Sequence, residues 1–141
     1  MFAFGGHEPT LFVQGTKQEV VMPLPAGSNH LERIEIMTQA GIQLGKSGKV
    51  GDVEWVVHVC EAWVSPGWTP FIMPSEDPNR MEVLMFSLLD PQTNKQTVQM
   101  FACMRNYKNA VVELKPAPME EADAQSPLLP AFLTGFRLFK R

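Results

Sequence analysis

The run Val53-Glu54-Trp55-Val56-Val57-His58-Val59-Cys60-Glu61-Ala62-Trp63-Val64 constrains this chain more than any other stretch. It is rich in β-branched and aromatic residues, which favour a pleated strand, and its apolar side chains fall on both parities. Alternate side chains of a strand face opposite sides of the sheet. A strand apolar on both sides must be covered on both, so this run predicts a central strand, and the rest of the chain must supply neighbours and a covering layer.

The neighbours are readable. Thr10-Leu11-Phe12-Val13 and Glu19-Val20-Val21-Met22 flank Gln14-Gly15-Thr16-Lys17, a spacing that predicts a hairpin with a glycine turn. After Pro23, Pro25 and Gly27, Ser28-Asn29 offers an N-cap, with Glu32 placed as a capping-box partner. Leu31, Ile34, Met37, Gly41 and Leu44 recur at helical spacing and predict an amphipathic helix over residues 29 to 44. The stretches 81 to 89 and 96 to 105 flank Asp90-Pro91-Gln92-Thr93-Asn94-Lys95, a strong turn signal, and predict a second hairpin. Matching Leu84, Phe86 and Leu88 with Val98, Met100, Ala102 and Met104 across that turn gives one apolar face on which the helix is expected to lie. Ala110-Val111-Val112-Glu113-Leu114 predicts a last strand, and Pro127-Leu128-Leu129 starts a short C-terminal helix.

The expected fold is therefore α+β: an antiparallel sheet of five to six strands in the order β-β-α-β-β-β-β, with one amphipathic helix on one face and a short C-terminal helix. At 141 residues, with 45% hydrophobic and 19% charged side chains, one domain with a packed core is the expectation. Residues 1 to 8 are expected to be a flexible N-terminal segment and residues 115 to 141 a C-terminal segment packing on the body.

Composition also narrows the function. A net charge of -3 leaves no broad cationic face for a phosphate backbone, so nucleic acid is not expected as a partner. The basic Arg137, Lys140 and Arg141 read as a solubilising tail. No apolar run is long enough for a spanning helix and no signal peptide opens the chain, so neither a membrane nor that export route is expected. The two cysteines, Cys60 and Cys103, lie in apolar strands, as fits a reducing, cytoplasmic compartment.

Between the central strands, residues 65 to 80 hold four prolines, Pro66, Pro70, Pro74 and Pro78, in a crossing longer than most loops in compact domains. Prolines lower the entropy of holding such a loop in one shape. Trp68, Phe71, Ile72 and Met73 within it form a candidate binding surface, or else fold back as a satellite core. Glu61-Ala62-Trp63 followed by Pro74-Ser75-Glu76-Asp77-Pro78-Asn79-Arg80-Met81-Glu82-Val83 resembles a pattern in uncharacterised prokaryotic and phage-associated small domains. The resemblance spans residues 58 to 89 and implies an intact fold. It brings no activity with it.

Glu61 leaves an apolar strand, while Arg80 and Glu82 share one parity where the next strand begins. A carboxylate among apolar groups requires a partner, so Glu61 or Glu82 is expected to pair with Arg80 and pin the ends of the crossing. The chemical alternative gathers Glu61, Glu82, Asp77, Glu76 and His58, beside Arg80, into a carboxylate cluster for acid-base or metal-assisted hydrolysis. His58 and Cys60 share a strand face and suggest zinc, but only Cys103 or His7 remain as further ligands, and a core histidine beside a core cysteine is the expectation. Gly45-Lys46-Ser47-Gly48 lacks the earlier glycine of a phosphate loop and follows a helix instead of a strand. No cofactor and no metal are implied. The expected role is a non-catalytic interaction or scaffold module that binds a protein partner or self-associates through the open sheet face or a strand edge; a small hydrolase is the alternative.

Overall fold

Eight elements follow one another as β1 (Thr10–Gly15), β2 (Glu19–Pro23), α1 (His30–Ser47), β3 (Val53–Val64), β4 (Met81–Leu89), β5 (Gln96–Arg105), β6 (Val111–Pro116) and α2 (Leu128–Phe139). The computed structural model describes residues 9 to 64, 81 to 116 and 127 to 140. The predicted N-terminal segment and the proline-rich crossing of residues 65 to 80 lie outside the described residues.

The strands form one six-stranded sheet in the order β2-β1-β3-β4-β5-β6, each antiparallel to its neighbours. The run that is apolar on both parities is interior, between β1 and β4. The α+β class, the element order and the short C-terminal helix are those expected.

Helix α1 begins where the cap was predicted. The Asn29 side chain accepts from the Glu32 amide at 2.8 Å, and the Ser28 hydroxyl donates to the Glu32 carboxylate at 2.7 Å. The helix continues past residue 44 to Ser47, where Gly48 closes it in the left-handed region at φ 66°. Gly45 does not end the helix because it serves another purpose: a Cβ there would come within 2.6 Å of the Phe136 carbonyl, and one on Gly41 would overlap the carbonyl of Phe132. On the facing helix, a Cβ on Gly135 would overlap the Thr38 carbonyl. Small residues thus let the backbones of α1 and α2 approach directly, and the two helices run in the same direction. Lys46 lies over the Phe139 ring, 4.6 Å from its centroid.

Both helices cover one face. Leu11 and Val13 of β1, Val56 of β3 and Leu89 of β4 form the core with Met37, Ala40 and Leu44 of α1 and with Leu129, Phe132, Leu133 and Phe136 of α2. On the opposite face Val59 and Leu84 are also buried, and Phe86 meets Phe101 edge to face at 5.6 Å.

Two expectations are corrected. The hairpin of β4 and β5 pairs Leu84 with Phe101, Phe86 with Gln99 and Leu89 with Gln96, one residue off the expected register. The turn sets this: the Asp90 amide donates to the Lys95 carbonyl at 3.0 Å and the Asn94 amide to the Asp90 carbonyl at 2.8 Å, with Asn94 at φ 59°. Even positions of β4 therefore share a face with odd positions of β5, and Leu84, Phe86 and Leu88 lie on the face away from the helices. Arg137 and Lys140, read as part of a tail, are tied to the body instead. Arg137 donates to the Pro91 carbonyl at 3.0 Å and Lys140 pairs with Asp52, because α2 continues through Phe139.

Candidate functional site

His58 occupies the middle of β3, opposite Leu11 of β1 and Ser87 of β4. Its parity points it toward the helix layer, as does that of Cys60, which lies opposite Met85. Above them the first turns of α1 do not close fully on the sheet. A cavity of about 410 Å³ remains, lined by His58, Cys60 and Met85 from the sheet and by Arg33, Ile36 and Met37 from α1. Pro9, the link from Leu24 to Ala26, Glu61 and Leu128 complete its wall.

Local structure aims Arg33 at this space. Gly27 turns the chain at φ 74°, and a Cβ on it would approach the Arg33 Cγ to 2.8 Å, so the absent side chain leaves room for the arginine stem. The guanidinium forms no hydrogen bond or ion pair with the described residues. Its charge reaches Cys60, where it partly offsets the burial that pushes this thiol up to about 11. The His58 imidazole is 7% exposed, and burial lowers its pKa below the usual 6.5. It makes no hydrogen bond to the described residues. Buried polar groups are nearly always partnered, so a buried imidazole without a partner, facing a cavity, is unusual.

The predicted site residues are divided by the sheet. Glu61 has the opposite parity to His58, and Glu82 belongs with it on the face away from the helices, one pair along β4. Glu82 is held there by Arg105: Nε and Nη2 reach the two carboxylate oxygens at 2.7 and 2.6 Å, and Nη1 donates to the Asn109 carbonyl at 2.7 Å. A forked pair of this kind fixes both side chains. Arg80, Asp77 and Glu76 lie outside the described residues, as do Trp68, Phe71, Ile72 and Met73. Of the predicted hydrolytic set, His58 and Glu61 border the cavity.

Neither cysteine has the setting of a nucleophile. Burial also pushes Cys103 up to about 11, and the neighbouring Glu82 adds to the rise. The zinc arrangement is broken by topology, since Cys103 has the parity of Phe101, on the face opposite His58 and Cys60. Among the described residues no group of three metal-ligating side chains converges.

Arg33 and Arg105 are the charged residues that sequence reasoning did not single out. Arg33 stands on the arc of α1 that reads as solvated, and only the glycine turn before the helix hints that its stem is held. Arg105 becomes the diagonal neighbour of Glu82 once the hairpin register is known. Among the described residues no helix is long and apolar enough to cross a membrane. No protein-family model matches the chain, and no curated protein or solved structure is significantly similar to it.

Proposed function

We propose that the protein is a non-catalytic interaction module that associates with a second copy of itself along the edge of β6, as a cytoplasmic component of the phage or mobile-element kind its motif resembles. What carries the reading is the composition of that edge. β6 ends the sheet, and among the described residues it has one strand neighbour, β5. An edge strand presents a row of backbone donors and acceptors to any chain that can pair with it.

The side-chain order of β6 favours pairing with itself. In an antiparallel pairing centred on Leu114, that residue faces its own copy, Glu113 of one copy faces Lys115 of the other, and the reverse pair follows by symmetry. Val112 is 64% exposed and Tyr107, in the preceding turn, is more exposed still, adding apolar surface beside the edge. The other edge strand, β2, offers no such complement: an antiparallel pairing centred on Val21 would set Val20 against Met22 and Glu19 against Pro23, with no opposite charges across the seam.

Hydrolysis has less support. His58 and the two glutamates lie on different faces, Glu82 is committed to Arg105, and both thiols are held protonated at neutral pH.

Sedimentation equilibrium tests the association. Glu113→Lys sets like charges opposite one another in two symmetry-related pairs, and at roughly 0.2–1 kcal/mol per cross-strand pair it is expected to weaken the dimer by about two- to thirtyfold. The double exchange Glu113→Lys with Lys115→Glu is expected to restore it. A monomer at millimolar concentration, or a dimer indifferent to both variants, would rule out the edge.

A further inference from the structure

The cavity beneath α1 has no part in association through β6, yet it combines three features that a merely imperfect core does not need. The wall is mainly apolar, with Leu24, Ile36, Met37 and Met85 among its lining. A guanidinium without an ion-pair partner among the described residues stands at its border. A buried imidazole lines it with its hydrogen-bonding capacity unused by the described residues. At about 410 Å³ the space falls within the range of roughly 300–1,000 Å³ typical of small-molecule sites, which are largely apolar with a few placed polar groups.

The polar groups specify the ligand. Arg33 offers a positive, forked donor suited to a carboxylate. The imidazole, neutral at physiological pH, supplies one N–H donor and one acceptor. Glu61 borders the cavity, and its parity sends the side chain toward the other face, where its charge is felt at Cys103 and Arg105, although it also reaches Cys60. Apart from Cys60 and Glu61, the remaining wall is built from apolar side chains and favours hydrocarbon.

We propose that this cavity binds a small monocarboxylate with an unbranched apolar chain, its carboxylate held by Arg33 and by the N–H of His58 and its chain laid along Ile36, Met37 and Met85. The ligand is a free medium-chain acid. An acyl chain in a bilayer is a poor fit, since its polar end is esterified and carries no carboxylate for the arginine.

Calorimetric titration with octanoate, octanol and acetate, combined with the imidazole resonances of His58 on labelled protein, tests the assignment. Octanoate is expected to saturate at one equivalent per chain and to shift the His58 resonances, while octanol lacks the charge, acetate lacks the chain, and both bind at least about tenfold more weakly. Arg33→Gln is expected to weaken octanoate by about tenfold or more without lowering the melting temperature, because the guanidinium holds no other described group. His58→Phe, which fills the space with an apolar ring, is expected to abolish binding while circular dichroism stays native. Octanol binding as tightly as octanoate, octanoate affinity unchanged in Arg33→Gln, or no octanoate binding at millimolar concentration would each overturn the proposal. Glu113→Lys is expected to leave octanoate affinity unchanged, so failure here and failure of the edge association are separable.

Discussion

His58 couples the acid stability of this protein to a single side chain. Its folded pKa lies below 6.5, so the unfolded chain takes up a proton that the folded chain resists. Well above pH 6.5 both states are neutral at this position and the term vanishes; as pH falls through that value the unfolded state gains, and stability declines. Denaturant melts between pH 8 and pH 5 are expected to show this loss, and His58→Phe to flatten it; an unchanged slope in the variant would mean that the imidazole is not the group responsible. The cysteines allow a second test at this scale. With both thiols raised from 9.0 to about 11, the thiolate fraction at neutral pH falls by about two orders of magnitude, and alkylation by iodoacetamide is expected to be slower by a similar factor than in the unfolded chain. Rapid labelling of either thiol in the native state would contradict its raised pKa.

Among the elements, the pairing of α1 with α2 rests on absent side chains. Gly41→Ala would raise intrinsic helix propensity by about 0.8–1 kcal/mol, yet its methyl group would overlap the Phe132 carbonyl, which belongs to backbone and cannot rotate away. Forcing the helices apart is expected to prevail, giving a net loss of roughly 1–3 kcal/mol in urea unfolding; a stabilised variant would show that the contact is looser than described. The same pair shows what the sequence makes legible and what it hides. The run of β3, the Asn29 cap and the turn at residues 90 to 95 each announce their element, because their signals are local. The reach of α1 through Gly45 and the length of α2 are not announced locally, since glycine reads as a stop until its facing helix is known. The register of β4 against β5 depends on how many residues the turn at Asn94 consumes, and a difference of one residue exchanges the faces. That same exchange conceals the pairing of Glu82 with Arg105, while Arg33 is hidden by its place on a helix arc that looks solvated.

At the scale of the whole molecule, the sheet has two unlike halves. Both helices pack over β1, β3 and the end of β4, whereas β5 and β6, Ala102 apart, are built of half-buried and exposed residues. Association along β6 would extend the sheet away from the helices and leave the cavity untouched. A dimer linked to folding also makes the melting temperature depend on protein concentration. An upward drift of melting temperature with concentration is expected for the native chain and is expected to shrink in Glu113→Lys; a flat dependence in the native chain would argue for monomers throughout.

The position of α2 has a consequence for how the molecule is made. Leu129, Phe132, Leu133 and Phe136 complete the core that β1 and α1 begin, but all of the strands are synthesised before them. A nascent chain that has emerged only as far as β6 carries an open apolar trough over Leu11, Val13 and Met37, and a chain cut short ahead of residue 127 would keep that trough permanently, as a substrate for chaperones and proteases.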